Sequence, residues 1–209
     1  MPTPLLHRAA RRAVFSIKLF RVILLGALCF AAPSYAADAE KPPGKSADEN
    51  TYDQDSVMKD AAAFFGQTTE GLAKVIEKVF KEQGRPNGYI KGQEAGGAMT
   101  VGLRYGDGML QMKGGASRKV FWSGPSVGFD VGGNASKVFV LVYRLPSTEK
   151  LFQRFPSVDG SLYYIGGVGV NYQRRDDIVL APIRLGVGLR AGASVGYMHY
   201  TRKKTLNPF

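Results

Sequence analysis

Between residues 56 and 83, apolar side chains recur at three- and four-residue steps. Val57, Ala61, Phe64, Phe65, Leu72, Val75, Ile76, Val79 and Phe80 fall on one stripe. Lys59, Asp60, Glu70, Lys74, Glu77, Lys78 and Lys81 fall largely on the other side. This period predicts an amphipathic helix over 53–85. Asp55 or Ser56 is placed to cap its start, and Gly84 followed by Pro86 ends it. Gly66 and Gly71 weaken the middle and point to a bend near 66–71. A face carrying three phenylalanines demands burial. The expected partner is the domain that follows, and a lipid surface is the alternative.

After Pro86-Asn-Gly88 the period shortens. Runs of β-branched and aromatic residues alternate with glycine and turn residues. Strands are predicted near 89–91, 98–105, 109–113, 119–122, 127–131, 138–145, 162–165, 167–173, 178–183, 185–190 and 193–201. Turn signals fall at Gly106-Asp-Gly108, Gly124-Pro125 and Gly132-Gly-Asn134, and 171–177 reads as a hairpin end. Ser147 opens a candidate short helix over 147–155. Roughly ten short antiparallel strands favour an architecture without exposed sheet edges. Glycines inside strands favour strong curvature. The predicted fold is mainly β, a small closed antiparallel β-barrel over 86–209 with the N-terminal amphipathic helix packed on it. Whether the barrel interior is filled or hollow stays open.

The first residues change the charge picture. Arg8, Arg11, Arg12, Lys18 and Arg21 precede an apolar run at 22–32, and Ser34-Tyr-Ala36 fits the small-x-small cleavage rule. Residues 1–36 are therefore expected to be a cleaved signal peptide, and 37–52, rich in Lys, Pro, Asp, Glu and Gly, a flexible linker. Without those five cations the formal charge falls from +11 to +6. Export to the periplasm is expected, which argues against a nucleic-acid partner. Cys29, the one cysteine, lies within the signal, so the mature chain has no thiolate chemistry and no disulfide.

Catalytic material is sparse. His199 is the single histidine beyond the signal, too little for a metal cluster or a Ser-His-Asp arrangement. Ser123 and Ser126 flank Gly-Pro and do not form a nucleophile elbow. The glycines of Gly186-Val-Gly-Leu-Arg-Ala-Gly192 miss the dinucleotide-binding spacing. Asp107, Asp130, Asp159, Asp176 and Asp177 sit beside turn residues. No catalytic residue, metal site or cofactor is expected. Cation pairs at Arg118-Lys119 and Arg174-Arg175, with Arg202-Lys-Lys204, stand at strand ends. Trp122, the only tryptophan, lies beside the first pair. Trp122, Arg118 and Lys119 are the candidate binding residues, with peripheral membrane contact a further expectation.

Several strings resemble one family. They are Pro86-Asn-Gly-Tyr-Ile90, Gly102-Leu-Arg-Tyr-Gly106, Phe121-Trp-Ser-Gly-Pro-Ser-Val-Gly-Phe-Asp-Val-Gly-Gly133, Leu141-Val-Tyr-Arg-Leu145, Gln153-Arg-Phe155, Pro182-Ile-Arg184, Gly186-Val-Gly-Leu-Arg190 and Asn207-Pro-Phe209. Together they resemble the envelope integrity protein A family of alphaproteobacteria over about 53–209. The resemblance implies a periplasmic β-barrel protein with an amphipathic helix that supports cell-envelope integrity. It supplies no catalytic residues. Trp122-Ser-Gly-Pro125 is also similar to a short stretch of SYLF-type lipid-binding domains. The expected function is non-enzymatic, through binding of an envelope lipid, glycan or protein. Two alternatives differ in class. The aromatic Phe209 and Gly-rich alternation suit an integral outer-membrane β-barrel. Two facing carboxylates would suit a cryptic carboxylate-based enzyme.

Overall fold

The computed structural model describes residues 49–97, 101–127, 135–186 and 196–205. The expected signal peptide, most of the linker, nearly all of the strands at 127–131 and 185–190, the turn at 132–134 and Phe209 lie outside these residues. The expected single helix is two: α1, Gln54–Phe65, and α2, Glu70–Gln83. Asp53, not Asp55 or Ser56, caps α1, its Oδ1 accepting the Ser56 N–H at 2.8 Å. Gly66 ends α1 at φ 79°, a left-handed conformation that a β-carbon disfavours. Thr69 then caps α2 by accepting the Leu72 N–H at 3.1 Å.

Among the described residues, ten antiparallel strands form one sheet: β1 Gly88–Gly97, β2 Val101–Met112, β3 Ser117–Val127, β4 Ser136–Tyr143, β5 Arg154–Pro156, β6 Tyr163–Ile165, β7 Val168–Val170, β8 Gln173–Arg175, β9 Ile178–Leu185 and β10 Tyr197–Thr201. Their order is β5-β10-β3-β2-β1-β4-β9-β7-β6, with β8 also paired to β9. Gly106-Asp-Gly108 is not a turn. It lies inside β2, paired to β1 on one side and β3 on the other. Gly124-Pro125 likewise lies inside β3. The expected helix at 147–155 is a short 3-10 turn, Thr148–Leu151, that leads into β5.

The sheet is strongly curled and barrel-like, but it is not the closed barrel that was expected. β5 and β8 meet through a single bridge, Ser157 to Gln173, supported by the Val158 N–H donating to the Tyr172 carbonyl at 2.9 Å. Both strands are only three residues long, and Pro156 brings no N–H to a ladder. Alternation divides the core in two. Inside the curl lie Ile90, Leu110, Val120, Trp122, Val138, Val140, Val142, Phe155, Leu180, Met198 and Tyr200. On the outer side, Phe139, Leu141, Tyr143, Val179, Ala181 and Ile183 pack with Val57, Ala61, Leu72, Val75, Ile76 and Val79 of the helices. The amphipathic face is thus buried on the outer side of β4 and β9, and strand side chains fill the interior.

Candidate functional site: a clamped carboxylate beneath an outer-face cleft

The strand register places Glu94, Gly106, Trp122 and Tyr200 in one row across β1, β2, β3 and β10. Gly106 leaves the middle of that row empty. A β-carbon there would lie closer than 3.0 Å to three indole atoms of Trp122, and one on Gly92 would lie 2.6 Å from its Cη2. The indole therefore lies on bare backbone, only 3% exposed. Its Nε1–H reaches over Gly106 to Glu94 Oε2 at 3.4 Å. Its other side meets the Tyr200 ring, which meets Phe155 edge-on.

Glu94 is buried and is held from both sides. Arg184 donates from Nε to Oε1 and from Nη2 to Oε2, the latter at 3.3 Å, and its Nη1 donates to Asn171 Oδ1 at 3.0 Å. Arg104, also buried, brings its Nε to 3.7 Å from Oε1. Burial alone pushes the Glu94 carboxyl up. The Arg184 and Arg104 charges and the Arg184 and Trp122 hydrogen bonds outweigh it, and the carboxyl is held below the ordinary range. It stays ionised near neutral pH and has no proton to give. Farther along, the Tyr200 hydroxyl donates to Gln173 Oε1 at 3.2 Å. Burial raises the Tyr200 phenol; Arg184 opposes this and Glu94 reinforces it.

On the opposite face the same strands carry a second row, Gln93, Asp107, Phe121 and Thr201. These residues, with Ala95, Tyr105, Ala135, Lys204 and Thr205, line a cleft of about 330 Å³ whose floor includes Glu94, Gly106 and Trp122. Asp107 is ion-paired to Lys119, whose ammonium lies 5.5 Å from the centre of the Phe121 ring. Tyr105 and Phe121 are half-buried residues of the cleft lining.

The three residues singled out from sequence are not brought onto one surface. Trp122 is inside the curl, under the cleft floor. Lys119 is outside, at the cleft's rim. Arg118 pairs with Glu149 at 3.1 Å, and Arg202 shares that carboxylate. Arg174 and Arg175 are exposed at the β8 end. His199 lies in register with Ser123, its Nδ1 buried without a partner, and its pKa is lowered by burial and by Arg154. Glu94, Arg104, Asn171 and Arg184 were missed. Glu94 and Arg184 each share strand parity with an inward apolar residue, Ile90 and Leu180, but that parity is readable only once the strands are placed. Among the described residues no group of three His, Cys, Asp or Glu could hold a metal ion. No described helix is long and apolar enough to cross a membrane.

The family described as envelope integrity protein A matches the chain over residues 50–209. Among solved structures, a beta-barrel-like, uncharacterized protein from Brucella abortus is similar at 46% identity and a TM-score of 0.71, covering 77% of this chain and 99% of that one. No curated protein matches the chain.

Proposed function

The chain belongs to the envelope integrity protein A family, and from that premise we propose that it is a non-enzymatic periplasmic protein that supports the envelope by binding an envelope lipid, glycan or protein. The observation that carries this reading is the outer-face cleft, walled by Gln93, Tyr105, Asp107, Phe121 and Lys204. The only buried carboxylate described beside it is Glu94, and two guanidinium groups keep it ionised. Such a group holds strands together and does not shuttle protons. The arrangement also runs against a lipid-embedded barrel. Membrane barrels turn apolar side chains outward and polar ones inward. Here β4 and β9 bury apolar side chains on both faces, and the outer set is covered by α1 and α2.

Fractionation and complementation test this reading. In a strain lacking its own copy, the wild-type chain is expected in the soluble periplasmic fraction, shortened by signal cleavage, and to restore resistance to detergent. The doubly substituted Gln93→Ala/Phe121→Ala chain is expected to reach the same compartment at the same level and to leave cells detergent-sensitive. Full rescue by that variant overturns the assignment to the cleft. Recovery of the folded wild-type chain only in detergent extracts of the outer membrane overturns the periplasmic reading.

A further inference from the structure

We infer that the outer-face cleft is a carbohydrate subsite, sized for one or two pyranose rings of an envelope glycan. This rests on the preceding reading and names the ligand class. A pyranose has two kinds of surface, an axial C–H face and a rim of hydroxyls. A site for it needs an aromatic ring left partly open and, around it, side chains that both donate and accept. Phe121 and Tyr105 provide the first, lying on β3 and β2 two positions apart in register. The second comes from Gln93, with an amide donor and acceptor, from the Asp107 carboxylate, from the Thr201 hydroxyl and from the Lys204 ammonium.

Two of the polar groups, Asp107 and Thr201, are also held in place. Asp107 is fixed by Lys119, and Lys119 is held over the Phe121 ring at 5.5 Å. Thr201 Oγ1 donates to the Lys203 carbonyl at 2.8 Å, leaving its lone pairs as acceptors. Beneath the floor, the Glu94, Trp122 and Arg184 contacts keep β1 and β3 from shifting. Rigid placement of several polar groups is what recognition of a hydroxylated ligand requires.

Other ligand classes fit less well. A lipid acyl chain would take Gln93, Lys204 and the Asp107–Lys119 pair out of water and offer them no hydrogen bond in return, an unfavourable transfer. A phosphate group would meet the Asp107 carboxylate at the centre of the row.

Isothermal titration of the folded mature chain with a set of soluble hexose and N-acetylhexosamine oligosaccharides tests the inference. At least one is expected to bind and to quench or shift Trp122 emission from below the floor. Phe121→Ala and the exposed Gln93→Ala are each expected to weaken binding about tenfold or more, the scale of one lost aromatic or hydrogen-bonding contact. Met109→Gln, on the same face but outside the cleft, is expected to bind as wild type. No binding by any sugar in the set, or equal binding by Gln93→Ala and wild type, overturns the inference. Binding of dodecyl-chain detergent monomers or of phosphatidylglycerol vesicles, abolished by the same variants while sugars have no effect, overturns it in favour of lipid. If the variants lose sugar binding yet restore detergent resistance, the subsite stands and the proposed function of the cleft falls.

Discussion

Among the described glycines, Gly106 leaves the least room for a β-carbon, which would lie 2.1 Å from the Trp122 indole. It is flanked in register by Glu94 and Trp122, and the indole occupies the space its β-carbon would need. The ring cannot retreat, because Gly92 is packed against its far edge. Gly106→Ala is therefore expected to cost about 3 kcal/mol, the upper range for overpacking a filled core, read as a lowered urea midpoint. Trp122 emission makes the loss locally visible, since it is the chain's single tryptophan. Glu94→Gln tests the other half of the row. It leaves the buried Arg184 and Arg104 without this counter-charge, for an expected loss of about 3–5 kcal/mol at pH 7. The pH dependence has a definite sign. The folded-state pKa of Glu94 lies below its ordinary value of 4.5. Its stabilising contribution is therefore present above that value and is lost as pH falls through the depressed one. Wild type is expected to lose stability more steeply than Glu94→Gln below pH 4.5, so that the two curves converge in acid.

Among elements, α2 shows packing overruling propensity. Its second residue, Gly71, faces the β6–β7 turn, where Gly166 and Gly167 both have positive φ. A β-carbon on Gly71 would lie 2.5 Å from the Ile165 carbonyl oxygen and 2.9 Å from that of Gly166. Helix propensity favours alanine over glycine by about 1 kcal/mol. The clash is with backbone, which cannot swing aside, so Gly71→Ala is expected to lower the melting temperature despite the better helix former. A rise would show that α2 can lift off the turn freely. Glycine is also where the sequence reading failed. Strand runs of β-branched residues and the helical stripe were legible because alternation and period leave a direct trace. Glycine carries two meanings that one sequence does not separate: a turn that needs positive φ, and a strand position that needs empty space. Gly166-Gly167 is the first kind, and Gly106-Asp-Gly108 is the second although its composition is that of the first. The clamp was hidden for a related reason. Glu94 and Arg184 are 90 positions apart and meet only when β1 and β9 flank β4. Trp122 was legible as important. Its direction was not, since facing follows from register.

At the scale of the whole molecule, the helices are part of the β-domain's core. β4 and β9 are adjacent and lie inside the strand order, away from its ends, each with apolar side chains on both faces. Without α1 and α2, the outer set of Phe139, Leu141, Tyr143, Val179, Ala181 and Ile183 would form one contiguous apolar patch, of the kind that drives association. A chain starting at Arg85 is therefore expected to be recovered as aggregate, or as a soluble species that binds a hydrophobic dye and lacks native Trp122 emission. A dye-silent folded monomer would mean that the curled sheet is self-sufficient and that the helices are an addition to it. The same arrangement predicts an order of opening in the intact protein. Amides of β4 from Val138 to Val142 have ladder partners on both sides and cover on both faces, so they should exchange only through global unfolding. β5 and β6 end the strand order, and β5 touches β8 through a single bridge. Their amides are expected to exchange orders of magnitude sooner, and the β5–β8 seam is where the curl first opens. Hydrogen exchange followed by mass spectrometry resolves these segments. Equal protection of β5 and β4 would mean that the seam is as firmly joined as a paired ladder.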